Sequence, residues 1–139
     1  MLKLVLRVVF AVFFVGAGVN HFLKTDFYLR MMPPYVPMHV TMVQISGVAE
    51  VVLGVLLLVP QTTAMAAWGL IALLVAVFPA NVQMALRPQT FPEFQPTALW
   101  LRLPLQVVMI AWAFWYTGKK PGRWLARSGV TRDASVIER

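Results

Sequence analysis

The stretch Val51–Leu86, VVLGVLLLVPQTTAMAAWGLIALLVAVFPANVQMAL, contains no charged side chain. A helix crosses the hydrocarbon core of a bilayer in roughly 20 mainly apolar residues, so this run is too long for one crossing. Pro60-Gln61-Thr62-Thr63 divides it. Proline has no N–H with which to continue a helix, and the polar residues after it suit a tight turn. The run therefore predicts two spans, about 41–59 and about 64–84. Outward from it, two more apolar segments have the length to cross, about 4–23, which stops at Lys24, and about 99–117. The expected fold is all-α: a polytopic membrane protein with an antiparallel four-transmembrane-helix bundle over residues 1–117 and a basic cytoplasmic tail over 118–139.

Composition points the same way. Hydrophobic residues make up 60% and charged residues 12% of the 139, against roughly 45–50% and 25% in soluble domains. A soluble fold of this size leaves too much surface exposed to hide so much apolar area. The chain has no cysteine, which excludes disulfides, thiolate metal sites and redox chemistry on its own thiols. Lys3 and Arg7 followed by Val8–Val15 resemble the start of a secretory signal peptide. No small-residue cleavage site follows, so an uncleaved span is expected.

The net charge of +7 is concentrated at the two ends. Four spans put both termini on one side, and the excess of Lys and Arg marks the cytoplasmic side. Lys3 and Arg7, with Lys119, Lys120, Arg123, Arg127, Arg132 and Arg139, outnumber Lys24, Arg30 and Arg87 in the two opposite loops. Both termini are thus expected in the cytoplasm, with the chain in a bacterial inner membrane. The basic tail suits an anionic leaflet, and no nucleic-acid partner is expected. The loops over 24–40 and 85–98 are rich in proline and aromatics, among them Phe27, Tyr28, Pro33, Pro34, Tyr35, Pro37, Pro88, Phe91, Pro92, Phe94 and Pro96. They read either as interfacial anchors or as covers over the mouth of the bundle.

Polar groups inside a membrane are costly and draw attention first. Glu50 lies about nine residues into the second span, roughly 13 Å deep by the helical rise. An unpaired carboxylate there costs at least a few kcal/mol, so Glu50 must face the interior, be protonated or have a partner. Ser46, Glu50 and Gly54 share one face, with Gly47 beside them, and small residues let helices approach closely. Side chains lean toward the N-terminus of their helix. With the N-terminus inside, His21, Glu50 and Asn81 then converge on the outer half of the bundle. Asn20 adjoins His21, and Arg102 and Gln106 lie one turn apart on the fourth span. Arg102 is roughly 5 Å below the surface, where it either pairs with Glu50 or snorkels to the headgroups. Pro79 inside the third span frees a backbone carbonyl near Asn81. His21, His39, Asp26 and Glu50 match no metal-ligand spacing, so no metal is expected. No P-loop, Rossmann glycine pattern, HExxH motif or serine nucleophile elbow is present.

Several stretches together resemble the DoxX family of small membrane proteins: Gly16-Ala-Gly-Val-Asn-His-Phe22, Pro33-Pro-Tyr-Val-Pro37, Ile45-Ser-Gly-Val-Ala-Glu50 with Gly54 and Leu57-Leu-Val-Pro60, Ala66-Ala-Trp-Gly69, Phe78-Pro-Ala-Asn-Val82, and Arg102-Leu-Pro-Leu-Gln106. The resemblance covers about residues 10–117. It implies a four-helix membrane bundle and an association with oxidoreductases. Members of that family include a subunit of a thiosulfate:quinone oxidoreductase and a group tied to methylamine dehydrogenase maturation. A more distant likeness leads to eukaryotic receptor-assembly chaperones. The family's polar positions fall on His21, Glu50, Asn81 and Arg102.

The leading expectation is therefore a membrane subunit that binds a quinone or similar amphipathic molecule in the outer half of the bundle, beside a membrane oxidoreductase. Glu50 and His21 would exchange protons or hydrogen bonds with it, and Asn20, Asn81, Arg102 and Gln106 would orient its polar atoms. Two alternatives stand beside it, an assembly or scaffold protein for other membrane proteins and a small solute or ion transporter formed by more than one copy of the chain. The residues name no reaction, and whether the chain is an enzyme stays open at this point.

Overall fold

An apolar segment in lipid must satisfy its backbone internally, and a helix does so within one segment. The computed structural model describes residues 1–118. The basic tail expected over 118–139 lies, from residue 119 on, outside the described residues. The helices are α1 (Leu2–Leu23), α2 (Thr25–Met31), α3 (His39–Leu58), α4 (Thr63–Leu86) and α5 (Pro96–Phe114), with a 3₁₀ turn at Pro88–Thr90. The four longer ones are each long and apolar enough to cross a membrane. They form the expected four-helix bundle of an integral membrane protein, with no strand among the described residues.

The expected limits shift by a few residues, for local reasons. α5 begins at Pro96 and not near 99, because proline at the start of a helix loses no hydrogen bond there. It ends at Phe114, where the chain turns through Trp115–Thr117. Residues 24–40 are not loop throughout. Lys24 leaves the helical conformation, with φ −129° and ψ 46°, and helix resumes at once as α2. The prolines that limit helix begin only at Pro33, so Thr25–Met31 is free to coil. Thr25 Oγ1 donates to the His21 carbonyl at 2.9 Å and ties the junction.

The α3–α4 turn is built as its sequence implies. Pro60 stops α3, and the two threonines cover carbonyls its end leaves open. Thr62 Oγ1 donates to Leu56 O at 2.7 Å and Thr63 Oγ1 to Val59 O at 2.9 Å. The last carbonyls of a helix need such partners.

α1 and α3 pack most intimately, through Gly18, Gly47 and Gly54. A Cβ on Gly18 would sit 2.6 Å from Gly47 O, and one on Gly54 would sit 3.0 Å from Ala11 O. α3 also packs on α4, where Gly69 accommodates Leu53, and α4 packs on α5. α1 and α5 meet through aromatic rings: Phe10 lies 4.6 Å from Trp112 and 6.2 Å from Tyr116, centroid to centroid. Phe10, Phe14, Leu57, Leu70 and Ala113 form the core at that level. A second cluster, Met31, Met84, Phe91 and Leu99, fills the opposite end beneath α2 and the 88–94 turn. Large apolar side chains, including Phe13, Ile45, Val52, Trp68, Val75, Leu101 and Val108, cover the outside, as a lipid environment requires.

Candidate functional site

The close approach of Gly18 and Gly47 brings His21 and Glu50 face to face. A Cβ on Gly47 would stand 2.8 Å from His21 Cβ, so only glycine leaves the imidazole its place. Both side chains are buried. His21 Nδ1 lies 2.9 Å from the Val43 carbonyl. A carbonyl only accepts, so Nδ1 carries a proton. That leaves Nε2 facing Glu50 Oε1 at 3.6 Å, longer than a hydrogen bond but within ion-pair range. The couple is electrically neutral when it holds one proton between Nε2 and Oε1, on either side. Glu50 Oε2 is buried with no hydrogen-bond partner.

Tyr28 of α2 lies over this couple. Its ring stacks on His21 at 3.8 Å with an interplanar angle of 30°, and Asn20 Nδ2 donates to its hydroxyl at 3.1 Å. Burial pushes the Tyr28 phenol up from its ordinary pKa, which keeps the hydroxyl protonated. Beyond Tyr28 opens a pocket of about 420 Å³. Asn20, Lys24 and Tyr28 line one side, Ala98, Leu99 and Arg102 of α5 another, and Phe27, Glu93 and Phe94 complete it. His21 and Glu50 do not line the pocket; they stand behind Tyr28.

A latch holds this region together. Arg30 Nη2 donates to Glu93 Oε1 at 2.6 Å and Nη1 to Thr90 O at 2.9 Å. The guanidinium lies over the Phe91 and Phe27 rings at 5.1 and 5.6 Å. Its hydrogen bond holds the Glu93 carboxyl below the usual carboxylate range. α2 is thereby clamped to the segment between α4 and α5.

Among the described residues Arg102 forms no ion pair with Glu50. Its Nη1 reaches Met84 Sδ at 3.3 Å, and the guanidinium lies 5.9 Å from the Phe94 ring centre. Asn81 does not join His21 and Glu50. Its Nδ2 donates to Gln106 Oε1 at 3.0 Å, and Gln106 Nε2 donates to Leu74 O at 2.5 Å. Pro79 withholds the N–H due to Val75 O, one residue along from the carbonyl that Gln106 takes. These two amides thus knit α4 to α5, away from the pocket. Gln106→Leu leaves the Asn81 amide without its acceptor and takes the side-chain donor from Leu74 O. It is expected to lower bundle stability by about 1–3 kcal/mol, read by unfolding in mixed micelles.

A family model described as "Domain of unknown function (DUF8561)" matches residues 10–117. The chain belongs to this family. The comparisons with curated proteins and with solved structures found no match. The DUF8561 segment takes in α2, α3, α4, α5, most of α1 and every residue of the pocket and of both polar pairs.

Of the other pocket walls, Phe27, Tyr28 and Phe94 were read from the sequence only as loop aromatics that anchor or cover, and Lys24 and Glu93 were not singled out as site residues. A signal for one of them existed. His21 and Tyr28 are seven residues apart, two helical turns, and share a face once the chain is read as helical on both sides of Lys24. Glu93 and Phe94 carried no such signal, because their place depends on contacts with α2 some sixty residues away.

Proposed function

We propose that this DUF8561 member is a membrane protein that binds a quinone or similar amphipathic small molecule, as a subunit of or partner to a membrane oxidoreductase system. The pocket bounded by Tyr28, Phe27, Phe94 and Arg102 carries the proposal. Its volume falls in the roughly 300–1,000 Å³ range of small-molecule sites, and it joins aromatic walls to a few polar groups as such sites do. The quinone class comes from the resemblance to the DoxX family. It suits a wall that offers hydrogen-bond donors to a carbonyl oxygen. The His21–Glu50 couple, one ring behind Tyr28, supplies a place where a proton can be held. Electrons would come from the partner enzyme; this chain binds and positions. With both termini cytoplasmic, the pocket faces the outer side of an inner membrane.

The test is extraction of the protein purified in mild detergent, with mass spectrometry of what is released. An amphipathic molecule enriched over bulk lipid is expected in wild type, and its loss in Tyr28→Ala. No enriched molecule in wild type would overturn the proposal. A second reading, an assembly partner for other membrane proteins, is favoured by one observation: Glu50 and Gln106 turn inward, onto other helices and not into the pocket. Under that reading Glu50→Gln lowers stability and the wild type yields no enriched molecule.

A further inference from the structure

The pocket is unusual in what its polar groups have left to give. Lys24 and Arg102 line it, and among the described residues neither has a carboxylate within 4.0 Å. The one acid on the wall, Glu93, is already engaged by Arg30, which is not itself a lining residue. Two positive charges therefore line the cavity with no carboxylate paired to them among the described residues. Arg102 is half-buried, and the acceptor its Nη1 has found is a thioether, a weak one. A guanidinium has five donors set in a fork that suits a carboxylate or phosphate. Tyr28 adds a neutral donor: its oxygen accepts from Asn20, so its own hydrogen is left to point elsewhere. Phe27, Phe94 and Leu99 line the same pocket and offer only apolar surface.

We infer that the pocket selects an amphipath whose head is an oxyanion, a carboxylate or phosphate ester held by Arg102, Lys24 and Tyr28, with its apolar body against Phe27, Phe94 and Leu99. The inference rests on the proposed reading that the pocket binds an amphipath, and it narrows the class. A neutral carbonyl head satisfies the donors but leaves both charges without a counter-charge, the half-buried Arg102 above all. An oxyanion satisfies donors and charges together. Hydrogen bonds with an ionised partner are the stronger kind, and losing one costs roughly ten- to a hundredfold in affinity. The same head can come from a free single-chain amphiphile or from a lipid of the surrounding bilayer.

The experiment titrates the full chain in nonionic detergent with hexadecyl phosphate, with hexadecanol as its neutral counterpart, and with a short-chain ubiquinone. Binding is followed by native mass spectrometry. A second arm reconstitutes the protein in phosphatidylcholine nanodiscs with and without phosphatidic acid. Hexadecyl phosphate is expected to bind at least about tenfold more tightly than hexadecanol, and Arg102→Gln and the exposed-site variant Lys24→Gln are each expected to shrink that preference. Competition by phosphatidic acid assigns the head to a bilayer lipid, and no competition assigns it to a free amphiphile. Equal binding of phosphate and alcohol, or a preference untouched by both variants, overturns the inference while leaving amphipath binding in place. So does binding of the quinone alone. If none of the three binds, the proposed function falls with it. Lys24→Gln keeps the test decisive should Arg102→Gln fail to fold, since Lys24 lies at the exposed end of α1.

Discussion

Gly18→Ala is expected to destabilise the bundle by about 1–3 kcal/mol, while Gly16→Ala, two residues earlier on the same helix, is expected to be neutral or slightly stabilising. The added methyl is the same in both, and alanine is the better helix former by up to about 1 kcal/mol. What differs is the space. At Gly16 a Cβ meets nothing within 4 Å. At Gly18 it lands 2.6 Å from Gly47 O and 2.9 Å from Val51 N, both backbone atoms of α3. No rotamer change relieves that clash; the two helices have to move apart. Separation of α1 from α3 also draws His21 away from Glu50, so the penalty falls on packing and polar pairing together. Gly69→Ala provides an intermediate case, because its nearest neighbour is the tip of the Leu53 side chain, which can swing aside. Unfolding in mixed micelles, followed through the five tryptophans, gives the ranking. Equal stability of the Gly16 and Gly18 variants would contradict the α1–α3 crossing described above.

The second large effect concerns the buried couple. His21→Leu leaves the Glu50 carboxyl facing hydrocarbon with neither oxygen partnered, since Oε2 already lacks one. Removing one member of a buried pair costs roughly 3–5 kcal/mol, and about 3 kcal/mol is expected here. Glu50→Gln is milder, near 1 kcal/mol, because an amide N–H still points at Nε2. The double variant His21→Leu with Glu50→Leu removes both polar groups and is expected to recover most of the loss, as replacement of whole buried pairs often does. The quantity to measure is the coupling energy of the cycle built on the two leucine substitutions. For groups in contact it runs at about 0.5–3 kcal/mol. Strict additivity would mean that His21 and Glu50 do not act as a pair.

The four spans were legible because the charge-free run from Val51 to Leu86 is too long for one helix and is broken by Pro60. The meeting of His21 with Glu50 was legible from the lean of helical side chains and from Gly47 beside Glu50, which together specify depth and a close crossing. Periodicity gives the face of a helix but not the neighbour that face meets. For that reason Asn81, at a similar depth to His21, was placed with the wrong neighbour and instead meets Gln106. Arg102 illustrates a second limit. A long flexible side chain reaches several acceptors from one backbone position, and packing against Met84 and Phe94 decides among them. α2 was hidden by the prolines after it, whose effect on the chain begins later than their number suggests.

The division of the polar groups has a consequence for biogenesis. His21, Glu50 and Gln106 are the buried polar residues of the described chain. The first two meet each other and Val43 across α1 and α3, and the third meets Asn81 and Leu74 across α4 and α5. Each set of contacts therefore lies within one pair of consecutive spans, with Glu50 Oε2 left without a partner. A pair emerging from the ribosome can enter lipid as a helical hairpin with these polar contacts already made, without waiting for the other pair to be synthesised. Joining the two hairpins afterwards requires contact between apolar surfaces such as Leu53 on Gly69 and Phe10 on Trp112, and closure of the Arg30–Glu93 latch. Translocation order and bundle architecture thus agree: no buried polar group has to cross the bilayer alone.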